Sequence, residues 1–124
     1  KALEAMHGLK QEALAMKESL LKANFDGIVE SMRQGWESKK NSAETVSNPE
    51  IENIYNAAIE AGALAGKVSG AGGGGFMMFF VPPSRRMNVI RALSCFNGQV
   101  SNCHFTKKGR QSWRVNGSIY CNAD

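Results

Sequence analysis

The sequence predicts an α+β fold, an antiparallel sheet with helices packed on it. Three observations point there: helical periodicity fills the first half, it gives way after Gly62 to short apolar runs, and those runs are paired by short turns. From Ala2 to about Lys22, the residues Leu9, Ala13, Met16 and Leu20 recur at helical spacing, with Lys and Glu on the other faces. Asn24 or Asp26 can cap a second helix whose apolar stripe is Phe25, Ile28, Val29, Met32 and Trp36. A polar loop over 41–48 leads to Asn48-Pro49-Glu50, which supplies a cap, a first-turn proline and a first-turn carboxylate. The third helix then buries Ile51, Ile54, Tyr55, Ala58 and Ile59, and Gly62 ends it.

Beyond Gly62 the segment Leu64 to Ser69 is β-compatible, and Phe76 to Val81 is a six-residue apolar run stopped by Pro82-Pro83. Such a run predicts a strand covered on both faces. Ser84 or Pro83 begins a fourth helix with Met87, Val89, Ile90, Leu93 and Phe96, closed by Asn97-Gly98. Val100 to Phe105 and Ser112 to Val115 read as two more strands around a Lys107-Lys108-Gly109 turn.

At 124 residues and 43% hydrophobic content, one packed core is expected. No window reaches the ~18 apolar residues of a membrane span, and the charged N-terminal stretch is unlike a signal peptide; a cytoplasmic protein is expected, with no membrane partner. Cys95, Cys103 and Cys121 are odd in number and lack Cys-x-x-Cys spacing, so buried or idle thiols are expected rather than a disulfide framework or a metal site. Cys103 and His104, neighbours on a strand, point to opposite faces and cannot share a metal.

The net charge of +4 is unevenly spread: residues 1–62 carry −3 and residues 63–124 carry +7. An anion belongs with the second half. Nucleic acid is not the expected anion, because base stacking needs exposed aromatics and Phe76, Phe79 and Phe80 lie within the apolar run.

Gly70-Ala71-Gly72-Gly73-Gly74-Gly75 demands a chemical reason, since five glycines in six positions lose much conformational entropy on folding. A tight hairpin needs only one or two of them. A backbone without side chains can approach another loop closely, and its N–H groups can converge on phosphate oxygens. The run is not a dinucleotide fingerprint, because a strand follows it and no carboxylate occurs between Glu60 and Asp124. Nor is Gly62 to Val68 a P-loop, being one residue short and ending in Val. A stand-alone domain that senses an anionic ligand without turnover fits the same loop.

Lys67-Val68-Ser69-Gly70-Ala71-Gly72-Gly73-Gly74-Gly75-Phe76 resembles the C-terminal motif of the galactokinase, homoserine kinase, mevalonate kinase and phosphomevalonate kinase (GHMP) superfamily. His7 with Lys10, Trp36 to Lys40, Ser47 to Ile51, Gly62 to Lys67, His104 to Thr106 and Ser112-Trp113 resemble its D-glycero-D-manno-heptose 7-phosphate kinase branch. The resemblance implies a ferredoxin-like C-terminal domain over 1–116 with extra N-terminal helices, followed by a tail over 117–124. It implies an ATP-dependent sugar kinase whose N-terminal domain holds the nucleotide, Mg2+ and the catalytic residues. No catalytic or metal-binding residue is then expected in this chain, which should be inactive alone and hold no cofactor tightly. Ser69, Gly70, Ala71, Gly72, Gly73, Gly74 and Gly75 would border the sugar phosphate and ATP, with Lys67 as the candidate phosphate contact; Trp36 and Lys40 are candidates for the sugar side. Arg85 and Arg86 are expected to face solvent. Because the family's first strand precedes the first helix, an open sheet edge and self-association are also expected.

Overall fold

The computed structural model describes residues 2–70 and 73–108. Helix α1 (Ala2–Leu21) and helix α2 (Phe25–Ser42) form an antiparallel pair around a tight turn in which Ala23 has φ 51°. Small residues line their seam: Gly8 lies against Ser38, Gly35 against Glu12 and Gly27 against Ser19. The seam shifts the buried face of α1 from the predicted stripe. Ala5 and Ser19 are buried and Leu9 and Met16 half-buried, whereas Ala13 and Leu20 are exposed. Asn24, not Asp26, is the cap of α2, its side-chain oxygen accepting from the Gly27 N–H at 3.1 Å.

Helix α3 (Pro49–Glu60) starts as expected, with Asn48 Oδ1 accepting from the Ile51 N–H at 2.9 Å. It stops at Gly62, whose φ of 113° suits glycine alone. The Gly62 N–H donates to the Ile59 carbonyl and the Ala63 N–H to that of Ala58, a Schellman ending that satisfies two terminal carbonyls. Strand β1 (Ala65–Ser69) then pairs antiparallel with β2 (Phe76–Phe80) in the register Ala65↔Phe80 to Ser69↔Phe76. A 3-10 turn over Pro83–Arg85 leads into α4 (Arg86–Leu93), four residues short of the predicted Asn97-Gly98 stop.

The core lies on one face of this hairpin. Trp36, Val46, Ile51 and Val68 form one cluster with Tyr55 and Met77 against it. Ala58, Ala63 and Val89 form a second, flanked by Ile59, Phe79, Val81 and Leu93. Gly66 makes the packing on that face feasible, because a Cβ there would lie 2.5 Å from the Phe79 ring and 3.2 Å from Tyr55.

The structure confirms an α+β chain and corrects two expectations about its strands. The Phe76 to Val81 run is not covered on both faces along its length: Phe76 is 79% exposed, and its partner Ser69 and, opposite Met78, Lys67 are exposed too. The side that carries Val68 and Met77 faces the core, whereas the other side is buried at Ala65 and open toward Ser69 and Phe76. Val100 to Phe105 forms no strand and is exposed throughout, for lack of a neighbouring strand to accept its backbone groups within the described residues. Of the two alternatives for the cysteines, idle or buried, Cys95 and Cys103 take the first, being free and exposed. The strand predicted at Ser112 to Val115, Cys121 and the 117–124 tail lie outside the described residues.

Candidate functional site

Strand alternation decides what the end of β1 offers. Val68 is buried in the core, which turns Lys67 and Ser69 to the opposite, exposed face beside the glycine run. Within the run, Gly70, Gly73, Gly74 and Gly75 have φ of 90°, 74°, 150° and 98°, so the path of the loop excludes ordinary side chains at four described positions. Around Gly70, Gly74 and Gly75 nothing lies within 4 Å of where a Cβ would stand. The loop therefore shows bare backbone to open space, the geometry by which main-chain groups meet a ligand or a second domain at close range. Ala71 and Gly72 lie outside the described residues.

Gly73 meets the loop between α2 and α3. Its N–H donates to the Val46 carbonyl at 3.1 Å, and a Cβ on it would stand 3.4 Å from the Thr45 carbonyl oxygen. Close approach to a neighbouring loop is thus realised at one glycine and an open face at three others.

The near end of the run is held by a residue the sequence reading passed over. Lys39, half-buried in the last turns of α2, donates from Nζ to the Val68 carbonyl at 2.9 Å and to the Gly70 carbonyl at 2.5 Å. One turn earlier on the same helix Trp36 enters the core, and a turn before that Arg33 Nε donates to the Leu64 carbonyl at 2.6 Å. Burial, and then the charge of Lys67, lower the Lys39 pKa from 10.5. Two ammonium groups close enough to feel each other at the start of a bare loop make the locality attractive to an anion. The signal was faint: Lys39 lies in the polar run Glu37 to Lys40, and only counting three residues on from Trp36 separates it as the one that faces β1.

The candidate residues divide accordingly. Lys67, Ser69, Gly70, Gly73, Gly74 and Gly75 come together at one end of the hairpin. Trp36 does not join them: it is 0% exposed, stacked on Tyr55 with ring centroids 6.3 Å apart, and unable to touch a sugar in this structure. Lys40 lies over its ring at 5.6 Å and pairs with Glu37 at 2.8 Å and Glu52 at 3.8 Å. Arg85 and Arg86 are exposed as expected, Arg85 lying against Gly62 and Arg86 donating to Asn102. Among the described residues no group of three His, Cys, Asp or Glu side chains is placed to hold a metal ion. No described helix is long and apolar enough to cross a membrane.

Comparison with known proteins identifies the frame around this loop. The family model described as GHMP kinases C terminal matches residues 16–99. D-glycero-alpha-D-manno-heptose 7-phosphate kinase of Campylobacter jejuni is 50% identical over 115 residues, covering 93% of this chain and 34% of that protein. A crystal structure described as "Putative Sugar Kinase from Campylobacter jejuni" superposes with a TM-score of 0.64 at 50% identity, covering 93% of this chain and 35% of the other. The chain spans about a third of the length of both relatives.

Proposed function

This chain belongs to the GHMP kinase family as its C-terminal part, and from that premise we propose that it closes the substrate cleft of an ATP-dependent sugar kinase acting on a heptose 7-phosphate. The observation that carries the reading is the 50% identity with a heptose 7-phosphate kinase across 93% of the chain. In this reading the GHMP kinase C-terminal domain spans 1–116, with 117–124 as a tail, and the protein works in the cytoplasm on a soluble sugar phosphate, in the synthesis of activated heptose for surface glycans.

The loop chemistry supports this. Phosphoryl transfer depends on positioning and charge stabilisation more than on acid–base groups. Ser69, Gly70, Ala71, Gly72, Gly73, Gly74 and Gly75 form the border against the substrates, the five glycines offering backbone in place of side chains. Lys67, exposed beside them, offers a cation to the sugar's phosphate. The described residues fit a phosphate but not Mg2+, since no carboxylate stands between Glu60 and Asp124. In this reading the nucleotide and its metal are held by a separate N-terminal domain, and the 124 residues alone transfer no phosphoryl group. Leu14, Leu21, Phe25 and Phe76, all exposed, would then favour self-association of the chain in isolation; a monomeric mass by sedimentation would refute that part.

The test is a kinase assay on the intact protein with ATP, Mg2+ and a panel of heptose and hexose phosphates. Transfer to a heptose 7-phosphate in preference to the hexose phosphates is expected. No transfer to any sugar phosphate would leave the anion-sensing domain as the better account.

A further inference from the structure

We propose that Lys39 is a positioning residue for the glycine run, fixing the backbone that borders the substrates by gripping the carbonyls of Val68 and Gly70 from α2. The proposal rests on the reading of that run as the edge of a kinase cleft. Its own foundation is geometric. An ammonium has three N–H donors, and Lys39 commits two of them to carbonyls two residues apart, on the last core residue of β1 and the first glycine beyond it.

That placement matters because glycine backbone has few internal restraints. A run of glycines is useful to a transition state only if the fold holds it in one path, since a misplacement of about 1 Å can cost a hundredfold in rate. The far part of the run is held by the Gly73 N–H on the Val46 carbonyl. The near end depends on Lys39, whose hydrogen bonds carry formal charge and are stronger than neutral ones. Lys39 sits on a helix that Trp36, Ile28 and Val29 anchor in the interior, so the grip is made from a rigid base. Lys67, one residue before Val68, is then free of backbone duty and left to meet the anion.

The roles of the two lysines differ, and the difference is measurable. Lys39→Met in the intact protein keeps the methylene stem and removes the grip. Hydrogen exchange in the peptide covering 65–76 should quicken about tenfold or more, while peptides from α3 exchange as in the wild type. Lys39→Arg, which can still donate to both carbonyls, should recover most of the protection, and Lys22→Met on the exposed end of α1–α2 should change nothing there. In the kinase assay Lys39→Met should lower kcat about tenfold or more with little change in KM for the sugar phosphate. Wild-type exchange at 65–76 in Lys39→Met, or an equal quickening in α3 and the hairpin together, would overturn the proposal. If the intact protein phosphorylates no sugar, the kinase reading fails while the exchange pattern still decides whether Lys39 holds the loop.

Discussion

At the scale of single residues, two glycines and a tyrosine show how closely backbone and ring are fitted. Gly66→Ala would drive a methyl group to 2.5 Å from the Phe79 ring and 3.2 Å from Tyr55, so that the rings must shift; a loss of about 1–3 kcal/mol is expected from denaturant midpoints. Gly73→Ala forces φ 74° on a residue with a Cβ and brings it into contact with the Thr45 carbonyl, costing about 1–2 kcal/mol, mostly from the backbone. Gly70 has φ 90° and open space, so Gly70→Ala bears the same kind of backbone cost with no neighbour to meet. Tyr55, between Trp36 and Phe79, has its pKa raised from 10.0 by burial first and then by Glu37, with Lys40 and Arg33 opposing. The folded state therefore keeps the phenol proton over a pH range where the unfolded chain has lost it, and stability falls as pH rises above 10.0. Lys39 acts in the reverse sense: its pKa is lowered, the unfolded chain binds the proton more tightly, and stability rises with pH below 10.5. Tyr55→Phe should accordingly flatten the alkaline decline in urea midpoints, and Lys39→Met should steepen it. An unchanged pH profile in both variants would contradict these assignments.

At the scale of elements, what could be read in advance followed from how local its cause is. The starts of α2 and α3 were legible because Asn24 and Asn48 cap by contacts three residues away, and the end of α3 because Gly62 meets a conformational demand of its own. Asn48→Ala should cost about 1 kcal/mol by thermal or chemical denaturation, with the loss confined to α3 and the hairpin it supports. Strands were legible only where a partner lay nearby in sequence. β1 and β2 are joined by six residues and pair as expected, whereas Val100 to Phe105 has a suitable composition and no neighbouring strand among the described residues. The buried face of α1 was misjudged because its seam with α2 is built from glycine and serine, which a search for apolar periodicity overlooks. A two-stranded hairpin is marginal by itself, so β1 and β2 depend on α2 and α3. Trp36→Ala, emptying the largest fully buried side chain, should cost about 3–5 kcal/mol and loosen the hairpin along with the helices.

At the scale of the whole molecule, charge and topology converge on one end of the hairpin. All acidic residues but Asp124 lie on the first three helices or, as Glu44, between α2 and α3, while β1, the glycine run, β2 and α4 come from a stretch with no carboxylate between Glu60 and Asp124. The location of the candidate site was legible in that asymmetry and in the glycines; the grip of Lys39 was not, because it depends on how α2 lies against β1. A field of one sign acts over roughly a Debye length, about 10 Å at 0.1 M salt, and Lys67 is the cation of that stretch nearest the open glycines in sequence. Lys67→Gln in the intact protein should therefore raise KM for the sugar phosphate roughly three- to tenfold at low ionic strength and leave the hydrogen-exchange pattern of 65–76 unchanged. Raising the salt should shrink the gap between variant and wild type, since screening removes from the wild type much of what the substitution removed. A KM difference of the same size at 0.05 M and about 0.5 M salt would mean that Lys67 acts through shape and not through charge, and a wild-type KM throughout would remove it from the phosphate's surroundings.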